Sequence, residues 1–248
     1  MAFCWNNERV YITSSDDDGL TWAPPREITQ DVKPSGWTWY ATGPGHGIQM
    51  RDGRLIVPSD HREGARGGWP FVRSHVVFSD DHGATWKLRG TVAPGTDECM
   101  AVETEDGRLY MSMRPSKKEA RRRMASWSTD GGLTWGDSTE IDTLPDAVYQ
   151  ASIVRYTTLA SNGKSRVLFA NPAGDERNTM TVRISYDECA SWPVSRVIHS
   201  GPSSYSDLTV APDNTIACLY ERGNFHRRES IRLAQFNLEW LTEGADRL

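Results

Sequence analysis

Seven side chains in this 248-residue chain have types suited to binding a ligand or doing chemistry on it. They are Glu98, Arg114, Arg177 and Tyr205, with Asp60, His61 and Arg62 as weaker candidates. Arg is the residue of choice for gripping a carboxylate, because its planar fork bonds both oxygens at once. The chain leans on it: Lys33, Lys87, Lys117, Lys118 and Lys164 are the only lysines among 28 basic residues. A codon bias toward Arg would produce the same composition. Each candidate also has an ordinary explanation. A lone Arg after a strand is usually a surface charge, Glu98 could cap a turn, and Tyr205 could be a core aromatic. Their meaning depends on whether the fold gathers them.

The positioning elements announce themselves as a repeat. The pattern Ser-x-Asp-x-Gly-x-Thr-Trp occurs at Ser15–Trp22, Ser79–Trp86 and Ser128–Trp135. A decayed copy spans Ser185–Trp192, with Cys189 in place of Gly and Ser191 in place of Thr. The starts are 64, 49 and 57 residues apart, close to the period of a propeller blade. The residue types suit a tight turn. Asp can accept from backbone N–H groups downstream, Gly supplies a positive φ, and Trp can tuck between sheets with its N–H satisfied. These Asp residues are therefore read as structural.

Between the boxes, Asp52-Gly53, Asp106-Gly107 and Asn162-Gly163 each sit between two β-type runs, a hairpin signature. The unit becomes strand, Asx-Gly turn, strand, link, strand, Asp-box, strand. Three complete four-stranded units follow: from GIQM to TWKLRGTV, from CMAVET to the strand after Trp135, and from ASIVRYT to the strand after Trp192. A partial unit, RVYITS plus a strand from Trp22, precedes them. Three strands, DLTVAP, TIACLY and SIRLAQFNL, follow. No amphipathic helix of any length is expected, and Lys117–Arg123 reads as a solvated loop.

Strands in such a unit run antiparallel. Asx-Gly turns and Asp-boxes therefore share one end of the propeller. The second-to-third links and the connections between blades share the other. That second end receives Gly43-Pro44-Gly45-His46-Gly47, Asp60-His61-Arg62, Asp97-Glu98, Arg114, Asn171 to Arg177, Ser203 to Asp207 and Glu221-Arg222. Loops at one end of a rigid scaffold are where sites form. Arg, Glu and Tyr around a propeller axis make a pocket for an anion.

Bulk properties narrow the function. A formal net charge of −5 gives no argument for nucleic acid or an anionic membrane as partner. No run reaches membrane-span length. Cys4, Cys99, Cys189 and Cys218 fit no metal-ligand spacing and read as buried thiols, so neither a metal nor a cofactor is implied.

In order and along nearly the whole chain, GPGHGIQ, TDECMAVE with DGRLYMSMR, NP…R before the fourth box, and YSDL followed by LYE resemble the sialidase (neuraminidase) superfamily. The resemblance implies an all-β, six-bladed propeller, here one domain over residues 1–248. It implies an exo-α-sialidase acting on terminal sialic acids of glycoconjugates. Arg114 and Arg177 match two of the three arginines that clamp the sugar carboxylate, Tyr205 the nucleophile, and Glu98 its base. The chemistry suits these types. A carboxylate nucleophile would be repelled by the carboxylate on the anomeric carbon, whereas a neutral Tyr hydroxyl is not. With a pKa of about 10, Tyr needs a neighbouring base. Asp60, His61, Arg62 and Trp69 are expected to contact the glycerol or N-acyl arms, and His46 to fix the glycine-rich loop. A non-catalytic glycan-binding propeller is the alternative, and trans-sialylation is a variant of the first reading. Members of the superfamily are secreted, periplasmic, lysosomal or cytosolic, so the compartment stays open.

One departure matters. Family members begin with an Arg-Ile-Pro strand carrying the third clamping Arg, followed by a loop Asp that serves as general acid. Neither occurs in these 248 residues. The opening Met-Ala-Phe-Cys-Trp reads as the middle of a strand. The expectation is therefore an N-terminally incomplete propeller of three full and two partial blades, with little or no activity by itself.

Overall fold

A computed structural model describes residues 1–64, 71–117 and 119–248, which form eighteen strands and three one-turn helices. The strands make four sheets in a propeller-like arrangement. The first sheet holds β1 (Ala2–Trp5), β2 (Arg9–Ile12) and β3 (Arg26–Glu27), followed by α1 (Thr29–Val32). The second holds β4 (Trp37–Thr42), β5 (Ile48–Gln49), β6 (Leu55–Glu63), β7 (Val72–Ser79) and β8 (Lys87–Arg89). The third holds β9 (Thr96–Glu103), β10 (Leu109–Pro115), β11 (Arg122–Ser128) and β12 (Thr139–Pro145). The fourth holds β13 (Ser152–Thr157), β14 (Arg166–Pro172), β15 (Asn178–Ser185), β16 (Val194–Val210), β17 (Ile216–Arg222) and β18 (Ser230–Phe236), with α2 (Leu159–Asn162) and α3 (Leu238–Leu241). All pairings are antiparallel.

Facing sides of successive sheets supply the core. Val10, Tyr40, Val77 and Trp86 join the first sheet to the second. Ile56, Phe78, Cys99 and Met111 join the second to the third, and Met100, Tyr110, Ile153 and Phe169 the third to the fourth. Strands sandwiched this way are buried on both faces, as β9 and β14 are along almost their whole length. β6 packs on β9, and β9 on β13, so their ends converge near one axis.

The four Asp-boxes are built alike. In the second, Ser79 Oγ donates to Asp81 (2.8 Å) and accepts from Gly83 N (2.8 Å), while Asp81 accepts from the Thr85 N–H (2.8 Å) and hydroxyl (2.6 Å). The decayed copy keeps every bond: Cys189 N replaces the Gly donor and Ser191 replaces Thr. Cys189 adopts the left-handed φ of 71° that Gly held elsewhere. Trp22 and Trp86 donate to a Gly carbonyl, whereas Trp135 Nε1 and Trp192 Nε1 have no acceptor among the described residues. The expected satisfaction of the indole N–H thus holds for two boxes and fails for two.

Other expectations are corrected. Asn162-Gly163 does not close a tight hairpin. It ends α2, whose N-cap Thr158 and Ser161 form a capping box and whose C-cap Gly163 has φ 64°. Lys117–Arg123 is not wholly a solvated loop: Arg122 and Arg123 begin β11, and Arg123 is fully buried. The strand after Trp192 and the strand DLTVAP are one continuous strand, β16. It pairs with β15 up to Pro202 and with β17 from Ser203. Finally, β4 adds an unforeseen strand. It pairs with the distal half of β6 while β5 pairs with the proximal half, and residues 43–47 interrupt the line between them. Glycine is required in that interruption, since Gly45 adopts a φ of 124° and a β carbon on Gly47 would meet the Ile56 carbonyl oxygen at 2.6 Å. Among the described residues no helix is long and apolar enough to cross a membrane.

Candidate active site

Antiparallel register brings the site together. Glu98 lies near the start of β9 and Arg114 near the end of β10, and Cys99 pairs with Met113 between them. Arg114 Nη1 donates to Glu98 Oε2 at 2.8 Å, and its Nε lies 4.0 Å from Asp97 Oδ2. Tyr205 lies just past the point where β16 changes partners, and its hydroxyl donates a short hydrogen bond to Glu98 Oε1. The backbone beside it is held from both sides. Ser206 N donates to Gln150 Oε1 (2.9 Å), and Gln150 Nε2 returns a bond to Ser206 O (2.8 Å). His46 Nδ1 meets Asp207 Oδ1 at 2.8 Å and so ties the glycine-rich loop to the strand bearing Tyr205.

Arg177, in the β14–β15 connection, stacks on an aromatic platform. Its guanidinium carbon lies 3.1 Å from the centroid of the Tyr149 ring, and that ring meets Tyr205 edge-on at 6.0 Å. A buried ion pair fixes the platform. Arg123 Nη1 contacts Asp146 Oδ2 (3.1 Å) and the Tyr149 carbonyl (2.5 Å), while Asp146 Oδ1 accepts from Val148 N and Tyr149 N. Burial pushes the Asp146 carboxyl up against the opposing pull of Arg123.

The electrostatics separate the two arginines. Burial disfavours the charge on Arg114, but Glu98 and Asp97 outweigh it and push its pKa up. Arg177 is brought down to about 10, first by burial and then by the nearby positive charges of Arg227 and Arg114. Tyr205 is pushed up by burial and by Glu98, so at rest the phenol holds its proton with the carboxylate against it. Asp60 lies fully buried beneath this group. Neither of its oxygens meets a donor among the described residues. Burial, then Asp97 and Glu98, push it well above the usual carboxylate range, which favours its protonated form.

Glu98, Arg114, Arg177 and Tyr205 are thus brought together, with Asp60 behind them. His61 and Arg62 are not. His61 is buried and stacked on Trp37 at 3.3 Å, and burial holds it at about 3. Arg62 lies over Trp39 at 4.8 Å. Trp69 lies outside the described residues. The sequence reading did not single out Tyr149, Gln150, Asp146 or Arg227. The first three directly precede β13 at the same end, so strand order alone could have nominated them. A cavity of about 770 Å³ is lined by His46, Asp207, Arg51, Glu103 and Arg155 among others, and not by Glu98 or Tyr205.

Comparison with known proteins identifies the family. The profile of the BNR repeat-like domain matches residues 2–226. The chain belongs to the sialidase superfamily. Within that superfamily it is 41% identical over 239 residues to a sialidase of Micromonospora viridifaciens, covering 93% of this chain and 35% of that protein. It is 34% identical to an exo-alpha-sialidase of Aspergillus fumigatus, covering 97% of this chain and 58% of that one. The solved Hadza microbial sialidase Hz136 superposes with a TM-score of 0.83 at 31% identity, over 94% of this chain and 44% of its own. The chain therefore spans between about a third and three-fifths of the length of these sialidases.

Proposed function

We propose that these residues carry the catalytic face of a retaining exo-α-sialidase, with terminal sialic acids of glycoconjugates as substrate. The observation that carries this reading is the connected row Tyr205–Glu98–Arg114, with Arg177 beside it. Arg114 and Arg177 hold the sugar carboxylate and orient the ring. Glu98 takes the Tyr205 proton as the phenolate oxygen bonds to the anomeric carbon and the bond to the leaving oxygen breaks. Water then displaces Tyr205 from the glycosyl intermediate, giving up to solvent a proton that balances the one the departing alkoxide takes from it, while Glu98's proton returns to the phenolate, and two inversions give retention. The resemblance supports reading residues 1–248 as one domain of a six-bladed ring. None of the 248 residues matches the family's acid for the leaving group, an omission that costs about 10²–10⁴-fold. The 248-residue polypeptide is therefore expected to turn over a fluorogenic sialoside weakly, and a rate equal to that of longer family members would contradict this.

A 3-fluoro sialosyl fluoride tests the nucleophile directly, because fluoride departs without an acid. Mass spectrometry is expected to find one sialosyl adduct on Tyr205 and none on Tyr205→Phe, which should still bind the sugar. An adduct on another residue, or an undiminished adduct on the Phe variant, would sink the assignment. Binding with no adduct on the unaltered chain would favour a glycan-binding propeller instead.

A further inference from the structure

Three arginines, Arg222 at the end of β17 and Arg227 and Arg228 in the β17–β18 connection, have different fates. Arg222 Nη2 donates to Asn224 Oδ1 (2.7 Å), and Arg228 Nε lies 3.6 Å from Glu221. Arg227 has no carboxylate within ion-pair distance among the described residues, and its Nε is buried without an acceptor. It turns toward the site, with its guanidinium carbon 5.9 Å from the same Tyr149 ring that carries Arg177. Arg177 likewise faces no carboxylate there, and Arg114 Nε is a further buried donor with no acceptor. Arg177 and Arg227, unlike Arg114 with its Glu98 partner, are like charges crowded without an ion-pair partner of their own among the described residues, which costs energy in the empty site, and an arriving anion relieves that cost.

The loop is built to hold Arg227 in place. The Glu229 carboxylate collects the backbone N–H groups of Asn224 (2.9 Å), Phe225 (3.0 Å) and His226 (2.6 Å). Gly223 N donates to Pro202 O (3.0 Å) and so docks the loop against the bend of β16 that leads to Tyr205. A carboxylate satisfying three successive amides makes a rigid turn, and a rigid turn loses little entropy when its arginine engages a ligand.

We propose that Arg227 is a further carboxylate-binding residue of this site, acting beside Arg114 and Arg177. The inference rests on the carboxylate-binding reading of the site. It is tested by calorimetric binding of two probes, N-acetylneuraminic acid and its methyl ester, which lacks the charge. The unaltered chain is expected to prefer the acid. Arg227→Ala should weaken acid binding about tenfold, as for one charge-assisted contact, and leave the ester unchanged. Arg227→Lys should keep part of the preference, and Arg228→Ala, which loses a cation already paired, should keep all of it. At low salt the thermal midpoint of Arg227→Ala should equal or exceed that of the unaltered chain. If the Ala variant does not fold, Arg227→Gln keeps the stem and carries the same expectation. An unchanged preference in Arg227→Ala with loss in Arg177→Ala would overturn the role of Arg227 while leaving the carboxylate site standing. Equal binding of acid and ester by the unaltered chain would overturn both.

Discussion

The two ends of this propeller are held by different kinds of contact. At the Asp-box end polar bonds close locally: each Asp reaches a Ser two residues back and a hydroxyl and N–H four residues on. At the site end the partners are distant. Arg123 and Asp146 are 23 residues apart, Glu98 and Tyr205 are 107, and His46 and Asp207 are 161. The box carboxylates are relaxed, and Asp17 and Asp81 are held at about 2 by the Thr hydroxyl and N–H groups they accept from. The site end keeps Asp60 without donors and Arg177 pressed by like charges. Local networks make stable corners, whereas a binding site keeps groups unsatisfied until its ligand supplies the partner.

Removing the support of the site end is expected to have the largest effect on stability. Arg123→Ala leaves Asp146 buried and unpaired, at a cost of about 3–5 kcal/mol in urea denaturation, and frees the Tyr149 platform. A loss no larger than that of a surface Arg would break the contrast between the ends.

Asp60→Asn tests the orphaned carboxyl, and its sign can be worked out. The folded pKa lies above the usual 3.8, so the unfolded chain ionises first and unfolding is increasingly favoured as pH rises between the two values. Any penalty from Asp60 is thus absent below pH 3.8 and complete above the folded pKa. The Tyr40, Cys99, Asp97, Glu98 and Arg114 side chains that surround it are unchanged in the variant. Unfolding free energies should therefore shift in favour of the Asn variant as pH is raised above 3.8, then level off. A difference independent of pH would mean that Asp60 is ionised as readily folded as unfolded.

The smallest effect is expected at a box. Ser185→Ala removes a buried hydroxyl that bonds Asp187 and Cys189 N, for a loss of about 1–2 kcal/mol by thermal denaturation, with binding at the opposite end unaltered. A change in sialic acid affinity in this variant would show that the ends are coupled.

Much of the molecule was legible because local patterns carried it. Ser15, Asp17, Gly19 and Thr21 meet within one turn, so the box is encoded by spacing alone, and even the decayed copy at Ser185 keeps its bonds. Antiparallel order then assigned Glu98, Arg114, Arg177 and Tyr205 to one end without coordinates. What strand order could not decide was where each side chain points. Asp60, His61 and Arg62 are consecutive, yet one lies behind the site, one stacks in the core on Trp37, and one covers Trp39. Successive strand residues alternate faces, and β4, which packs against them, carried no signal as an inner strand. The sequence by itself determined the repeat, the strand order and the residue types of the site. Only tertiary structure decided that Tyr149 would bridge Arg177 and Tyr205, that Arg227 would turn inward while Arg228 paired with Glu221, and that Asp60 would be buried without a donor. Those outcomes depend on contacts between segments far apart in the chain, and no local spacing records them.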